Sequence, residues 1–309
     1  PNWQNMPRLS PKEVASKPYL YGVDIRKAFK ADEGYVFVSA DYKAMEMVVA
    51  AAVSQDRNLT RLLKEGRDLH VYTAKTALKI LHDETVKARG KWNLPPIDDI
   101  LAWDDEKFAK ELPTWRQDAK ILNFSQLYRG TWYTLHKNFG FPKETAKLLE
   151  RAFKEAYPDL DEMMVKTEKE LLDKGYIIYP EFGFIKRLKR PPEYLAFKDP
   201  KAYERQLAAA LRTCLNALIQ GYSAFIAKKA VVDTQKELEN LGIDGQVMYQ
   251  IHDDIGILVK EADALKAQEV LLKNMRRYVG GVYLDAEPEI RRTMSKAEAP
   301  LELAGPSGQ

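Results

Sequence analysis

Alternating apolar and polar runs divide the chain into strands and helices in a mixed order. The run YVFVSADY (35–42) is apolar, rich in β-forming residues and closed by a carboxylate, which predicts a buried strand. AMEMVVAAAV directly after it predicts a helix, and the stretch 246–259 predicts a β-hairpin with acids at its turn. A helix over 261–278 and a last strand near 282–290 should follow.

The middle of the chain predicts mainly helices. Residues 114–175 show a helical pattern that breaks near Gly140 and Pro158. GYIIYPEFGFIKRL (175–188) predicts a pair of strands, and residues 202–242 predict one long helix that is largely apolar on one face. The chain therefore has an α+β pattern, in which both ends of the chain contribute strands to one mixed sheet and helices lie between them in sequence.

Two further stretches give weaker signals. In SQDRNLTRLLKEG we expect Ser54 to start a short helix that stops at Gly66. Residues 79–113 contain three prolines and look irregular, which indicates an insertion rather than core.

Composition narrows the protein class. A chain of 309 residues can bury a large core and is expected to divide into two subdomains. With 45% hydrophobic and 30% charged residues it is typical of soluble globular proteins, and no apolar run approaches the roughly 18 residues of a membrane helix. The single cysteine, Cys214, excludes an internal disulfide and a cysteine-rich zinc site, and it favours a reducing, intracellular location.

Charge alone identifies no partner. The net charge of +3 is only mildly basic. Local basic clusters occur at 186–192 and 290–296, and an acidic one at 97–108. Taken singly, each cluster predicts a solvated face.

Two acidic strand ends suggest a cation site. Asp41 ends the first strand and Asp253 lies at the turn of the late hairpin, beside Asp254. If those strands are neighbours, the carboxylates converge at one sheet edge, where their repulsion normally implies bound cations. Oxygen ligands favour Mg²⁺ or Mn²⁺, and two such ions would hold the attacking and leaving oxygens of a phosphoryl transfer. The alternative is that Asp41 caps the next helix and the hairpin acids form a polar turn.

A third locus has residues spaced by four. In TWRQDAKILNFSQLYRG, two cations and two aromatics lie along one helical face, and we call them the helical stripe: Arg116, Lys120, Phe124 and Tyr128. Cations bind phosphate oxygens and rings pack against sugar and base, so the stripe suits a nucleotide. The alternative is an amphipathic helix whose aromatics are core and whose basic side chains extend to solvent.

In their order, the three loci resemble the family A DNA polymerases. DYKAMEM is similar to the first palm motif, RQDAKILNFSQLY to the fingers helix and HDD to the last palm motif. Supporting signatures cover almost the whole chain: PNWQNMP (1–7), IRKAF (25–29), EGRDLH (65–70) and RTCLNALIQG (212–221). Several ordered motifs together are far more specific than any one of them.

The resemblance implies a fold. It is the α+β fold of a right-hand polymerase palm, a mixed or antiparallel sheet with helices, joined to mainly helical fingers, with the thumb absent from this chain. We expect palm in 1–75 and 205–309, and fingers in 76–204 with the insertion at 79–113. The length of that insertion favours a phage-like lineage.

The resemblance also implies roles for individual residues. Asp41 and Asp253 match the metal-binding aspartates, which would hold two Mg²⁺ ions or Mn²⁺. Together with Asp254 they form the expected catalytic acids. Residues matched to dNTP binding are Arg116, Lys120, Phe124, Tyr128, Glu46 and His70. Residues matched to DNA binding are Asn2, Gln4, Asn5, Arg212, Asn216, Gln220 and His252, the last as a support of the hairpin.

The chain also departs from the family pattern. The family usually has Glu where Asp254 stands, and glycine at both Ser125 and Arg129. The loss of the two glycines would stiffen the end of the fingers helix, and Arg129 would bring a charged side chain near the template base.

The implied activity is addition of dNTPs to a primer 3′-hydroxyl on template DNA in the cytoplasm, in a nucleoid or a phage-infected cell. Expected partners are primer–template DNA, dNTPs and a separate or upstream polypeptide that supplies thumb and exonuclease domains. One alternative is a single-subunit RNA polymerase, against which Glu46 argues because it helps to exclude a ribose 2′-hydroxyl. Others are a catalytically idle nucleic-acid-binding replisome subunit and a metal-dependent nuclease, which would give the helical stripe no role.

Overall fold

A computed structural model describes residues 25–179, 184–296 and 299–303. The chain divides into two compact units. Unit one comprises residues 1–45, 223–279 and 283–309, and unit two comprises 46–222 and 280–282. No helix within the described ranges is both long and apolar enough to cross a membrane.

Unit one is built on an antiparallel sheet. In the described part of the chain its strands are β1 (Tyr35–Tyr42), β4 (Gly245–Ile251), β5 (Asp254–Lys260) and β8 (Ala286–Arg291), in the order β4-β5-β1-β8. Each neighbouring pair is antiparallel, so the sheet is antiparallel rather than mixed. The predicted strand at 35–42 and the predicted hairpin at 246–259 are both confirmed.

Strand β1 is buried on both faces, and a helix packs against the sheet. Six of the eight residues of β1 are buried, and helix α12 (Ala264–Met275) packs against β1, β5 and β8. A close approach fixes the neighbouring hairpin, because Gly256 pairs with Tyr249. A Cβ atom at Gly256 would lie 2.2 Å from the Tyr249 ring, so only glycine fits there.

Unit two is mainly helical. Its described helices are α1 (Met45–Ser54), α2 (Arg57–Lys64), α3 (Leu69–Lys87), α4 (Ile97–Ala102), α5 (Asp105–Glu111), α6 (Pro113–Leu127), α7 (Trp132–Phe139), α8 (Lys143–Ala156), α9 (Pro158–Lys174) and α10 (Tyr194–Lys198). A hairpin of β2 (Tyr176–Tyr179) and β3 (Phe184–Arg187) confirms the predicted strand pair. The 41-residue helix α11 (Pro200–Asn240) contributes to both units, which divide after Tyr222.

The expectation that 79–113 is irregular and outside the core holds for the irregular backbone of 88–96 but is wrong for the rest of the segment. Helix α3 continues to Lys87, and two short helices, α4 and α5, follow. Ile100 and Phe108 are fully buried in a cluster with residues of α3 and α6. The prolines misled the prediction because Pro96 precedes α4 and Pro113 is the first residue of α6, positions where proline starts a helix rather than breaking one.

Two smaller predictions also need correction. The N-cap of α2 is Asp56 and not Ser54, because the Asp56 carboxylate accepts from the Leu59 amide at 2.8 Å. The single helix expected over 261–278 is a 3₁₀ turn followed by α12, after which the chain forms β6 (Arg277–Val279), β7 (Val282–Leu284) and β8. Short β-branched and aromatic runs around Gly280 and Gly281 explain the extra strands.

Candidate active site

The acidic strand ends meet in unit one, because the two strands are neighbours, as the sequence analysis required. β1 and β5 are hydrogen-bonded neighbours, and the register pairs Asp41 with Asp254. Asp253 lies in the turn between β4 and β5, and its carbonyl accepts from the amide of Tyr42 at 3.1 Å. We call Asp41, Asp253 and Asp254 the acidic site.

The acidic site is electrostatically unfavourable by itself. Burial, followed by the nearby carboxylate of Asp41, raises the pKa of Asp253 to about 6. Asp254 is only 3% exposed. Carboxylates held this close resist ionising together unless a cation compensates them.

The donor chemistry of the acidic site fits a hard divalent cation. Carboxylate oxygens are the ligands that Mg²⁺ and Mn²⁺ prefer, and the raised pKa marks a site that a positive charge would stabilise. Among the described residues, however, no three or more His, Cys, Asp or Glu side chains are grouped as a ready metal centre. Completing the coordination of an ion would therefore require water or substrate oxygens.

His252 shapes the turn that carries Asp253. Its backbone has φ of +57°, in the left-handed region, and its side chain is exposed. The Gln250 side-chain amide donates to the His252 carbonyl at 3.2 Å. The residue thus adopts an uncommon conformation in the turn, and its supporting role stays a prediction.

The helical stripe lies on α6 in unit two. Arg116 Nε donates to the Asp68 carboxylate at 2.7 Å, which fixes the guanidinium at the first turns of the helix. Lys120 is exposed and Phe124 is 40% exposed, so neither is a core residue. Tyr128 directly follows the last helical residue. The amphipathic-helix alternative therefore fails for Phe124, whose ring is available to a ligand.

A cleft of about 790 Å³ runs beside the stripe. Its walls include Lys120, Phe124 and Tyr128 from the stripe and Arg212 from α11. Cationic and aromatic groups thus line one concave surface, which suits a phosphate-bearing, ring-containing ligand.

His70 adjoins the stripe and is held neutral. Burial lowers its pKa to about 4, and the charges of Arg116 and Lys120 act in the same direction against the attraction of Asp68. The Asn123 side-chain amide lies 3.0 Å from His70 Nδ1, which assigns the ring proton to Nε2. The ring centroid lies 6.1 Å from that of Phe124. Neutral His70 can therefore offer one N–H donor at the stripe.

Glu46 and Tyr128 interact directly. The Tyr128 hydroxyl donates a short hydrogen bond to the Glu46 carboxylate, and Gln220 also contacts that hydroxyl. Burial and this bond raise the pKa of Tyr128, so the phenol stays protonated. The side-chain amide of Asn216 is assigned the orientation in which its nitrogen faces two backbone carbonyls. It donates to that of Tyr128 at 3.3 Å and to that of Arg212 at 3.1 Å. The structure thus gathers residues expected to contact dNTP and DNA into one cluster.

The departures at the end of α6 have a structural account. Arg129 has φ of +56°, the left-handed conformation for which glycine is favoured, and its guanidinium pairs with Glu168. A Cβ atom at Gly130 would lie 2.1 Å from Ser125 Oγ, so glycine is required one position later. The charged side chain expected near a template base is thus engaged by an acid within unit two.

Three residues escaped the sequence analysis. Lys296 Nζ lies 3.2 Å from both Asp41 and Asp254. Asp68 and Asn123 position Arg116 and His70, respectively. Asp68 had a signal, because it belongs to the EGRDLH signature. Lys296 ends a basic cluster, but that position does not indicate a contact with Asp41.

The solvated-face interpretation of that cluster at 290–296 is wrong. Arg291 is buried and pairs with Glu289, and Arg292 pairs with Glu261. Each basic side chain faces an acid that the sheet brings within reach. The predicted DNA contacts Asn2, Gln4 and Asn5 lie outside the described residues.

Comparison with known proteins identifies the family. The sequence model of DNA polymerase family A matches residues 1–91 and 101–295. The chain is 27% identical to DNA polymerase I of Borreliella burgdorferi over 88% of this chain and 26% of that protein. It is 28% identical to the DNA polymerase of Mycobacterium phage D29 over 86% of this chain and 36% of that protein.

A solved structure has the same fold. It is the POL domain of Pol1 from M. smegmatis in complex with DNA primer-template and dNTP, with a TM-score of 0.72 and 23% identity. The alignment covers 95% of this chain and 44% of that one. The chain thus spans only about a quarter to a third of the curated relatives' length. Since the family match extends over nearly all of its residues, this chain belongs to DNA polymerase family A.

Proposed function

We propose that this chain carries the palm and fingers of a template-directed DNA polymerase that adds dNTPs to a primer 3′-hydroxyl. The observation that carries the proposal is the antiparallel register of β1 and β5, which pairs Asp41 with Asp254 beside Asp253. A carboxylate group of this kind, in a family A chain, is what nucleotidyl transfer needs.

The acidic site would hold the divalent cations that family membership generally implies. Asp41 and Asp253 are the proposed ligands, because their carboxylates lie close enough for Asp41 to raise the pKa of Asp253. When bound, Mg²⁺ or Mn²⁺ would stabilise the charge that develops on the attacking and leaving oxygens. Asp254, which is buried and pairs with Asp41 across the sheet, would add negative charge to the site.

The helical stripe would bind the incoming nucleotide. Arg116 and Lys120 offer charged donors to the triphosphate oxygens, and Phe124 offers an exposed ring to the sugar and base. His70 would add a neutral N–H donor, since its pKa of about 4 keeps it uncharged at physiological pH. The cleft that Lys120 and Phe124 line supports this assignment.

Glu46 and Tyr128 would select the sugar. Their hydrogen bond fixes both side chains, so a ribose 2′-hydroxyl would have to displace a bond already made. Leaving a buried polar group unpaired is costly, so this arrangement favours dNTPs over rNTPs. On α11, Arg212, Asn216 and Gln220 recur every four residues and would contact template or primer.

Primer extension tests the proposal. Wild-type chain and Asp253→Asn are compared on primed DNA with Mg²⁺ or Mn²⁺, using dNTPs and rNTPs in parallel. We expect dNTP incorporation that Asp253→Asn abolishes. Asp244→Asn is the matched control, because Asp244 is an exposed carboxylate of the same unit that pairs with Lys260.

The outcomes separate the alternatives. Preferential rNTP incorporation would instead support the RNA polymerase, and extension that survives Asp253→Asn would reject the proposed metal site. The separately supplied thumb stays a prediction, and adding an upstream segment in trans to the same assay tests it.

A further inference from the structure

A lysine lies among the carboxylates of the acidic site. Lys296 Nζ is 3.2 Å from Asp41 Oδ2, 3.2 Å from Asp254 Oδ2 and 3.8 Å from Glu289 Oε2. Its side chain is 17% exposed, so most of it is withdrawn from solvent. The ammonium therefore contacts acids from three adjacent strands, β5, β1 and β8.

The backbone before Lys296 is anchored, so its position is built into the fold. Beyond β8, the Met294 amide donates to the Phe29 carbonyl at 3.1 Å, and Thr293 forms a β-bridge with Lys30. Ser295 is fully buried, and its amide donates to Thr293 Oγ1 at 3.2 Å. These contacts direct the chain back towards the acidic site, and Lys296 follows at once.

A lysine and a divalent ion would compete for the same oxygens. An ammonium is a compact point charge that compensates only part of the negative charge of three carboxylates. A doubly charged cation satisfies the same oxygens more fully, but it must first displace or repel the ammonium.

We propose that Lys296 is an internal counter-cation of the acidic site. It stabilises Asp41 and Asp254 when no divalent ion is bound, and it raises the divalent-ion concentration that the site requires. This inference rests on the proposed metal role of Asp41.

Mn²⁺ titration of the DNA-free 309-residue chain by calorimetry tests the inference without using activity. Lys296→Met removes the charge at similar side-chain length, and we expect it to lower the Kd for Mn²⁺ by about tenfold. Lys260→Met is the matched control, because it removes the same charge from a pair with Asp244. Lys260 lies six register positions along the same strands, about 20 Å from the acidic site. The Kd for Mn²⁺ should therefore change less than twofold in Lys260→Met.

The result that overturns the inference is an unchanged or higher Kd in Lys296→Met, which would mean that the lysine merely supports the carboxylates. Asp41→Asn separates this failure from failure of the proposed site. If Asp41→Asn leaves Mn²⁺ binding unchanged, the proposed metal site is wrong. If Asp41→Asn weakens binding while Lys296→Met has no effect, the metal site stands and only the role of Lys296 is rejected.

A second measurement uses wild-type protein and so does not depend on how a variant folds. Reductive methylation followed by mass spectrometry reports the accessibility of each lysine. Saturating Mn²⁺ should increase the labelling rate of Lys296 several-fold and leave that of Lys260 unchanged. An equal or slower rate at Lys296 in the presence of Mn²⁺ would contradict displacement of the ammonium.

Discussion

The acidic site and the helical stripe are positioned by different means. In unit one, hydrogen bonds between β1 and β5 set the acids, and a backbone bond from Tyr42 to Asp253 holds the turn. In unit two, side chains hold side chains, as Asp68 holds Arg116 and Asn123 holds His70. Main-chain register tolerates little movement, whereas a side-chain partner can be exchanged for a ligand.

This difference matches the chemistry expected of each region. Reactive oxygens need a geometry that persists through turnover, which a sheet provides. A nucleotide must enter and leave at every cycle. The side chains that bind it should therefore have partners within the protein while the nucleotide is absent. Changes in unit one should therefore abolish activity or destabilise the fold, while changes in unit two should alter affinity.

The largest effect is expected at the acidic site. Asp41→Asn should lower the extension rate by at least about 10³-fold, because an amide cannot supply the negative charge that holds a cation. The same change removes the repulsion with Asp253 but also the ion pair with Lys296, so the melting temperature should change little. Rapid-quench extension and calorimetry measure the two effects. Asp244→Asn should change neither much, and a parallel loss of stability and rate in Asp41→Asn would mean that the residue is structural.

The next effect tests the register that positions the acids. Gly256→Ala should lower the free energy of unfolding by about 2–3 kcal/mol, because its Cβ would overlap the Tyr249 ring. Gly242→Ala, which has open space but φ of +62°, should cost only about 1 kcal/mol. Urea unfolding measures both changes. In a Tyr249→Ala background the alanine at 256 should cost much less, and an undiminished cost would place the strain elsewhere.

A smaller effect is expected for the stripe. Arg116→Gln should raise the KM for dNTP by about 10–30-fold with a lesser change in kcat, because a phosphate contact is lost. Asp68→Asn keeps the helix cap but loosens Arg116, so its KM should rise only about threefold. Steady-state extension checks both. Adding Asp68→Asn to Arg116→Gln should have no further effect, and Arg67→Gln, which removes an arginine paired with Asp105, should leave KM unchanged.

The effect that is smallest at neutral pH concerns the protonation of His70. The pKa of His70 is about 4 in the fold, below its ordinary value of 6.5, so the unfolded chain binds more protons between these values. The free energy of unfolding therefore keeps the full contribution of His70 above pH 6.5 and loses it as the pH falls towards 4. The loss should be about 2 kcal/mol after allowance for the partial exposure of the ring. Urea unfolding at several pH values gives the free energy of unfolding at each pH. In His70→Gln this free energy should fall less steeply as the pH is lowered than it does in the wild type. His82→Gln changes a histidine on the same helix and serves as the control, so its free energy of unfolding should depend on pH as in the wild type. If both variants reduce the pH dependence equally, His70 is not its specific cause.

Local patterns predicted the elements of the site well. YVFVSADY and the HDD hairpin each consist of residues whose burial and β-propensity agree, so strand, turn and acid positions could be read from the sequence. The spacing by four on α6 likewise needed only helical geometry. The pairing of β1 with β5 stayed conditional in the sequence, and the structure supplies it.

Contacts between distant segments could not be predicted in this way. Lys296 reaches Asp41 only because β8 returns beside β1, which no local pattern encodes. The prolines of 79–113 suggested a loop because a proline at a helix start and one in a loop look alike in sequence. Ile100 and Phe108 carried the counter-evidence, but their burial depends on α3 and α6.

The two-residue turn at His252 and Asp253 constrains how this gene can change in length. Side chains alternate between the faces of a strand, so a one-residue insertion or deletion within β5 would turn every following side chain to the opposite face. Exposed loop residues such as 88–91 carry no such alternation and tolerate changes in length better. Length variation among natural homologues should therefore accumulate in unit two and its loops, and the spacing from Tyr249 to Gly256 should be inherited unchanged.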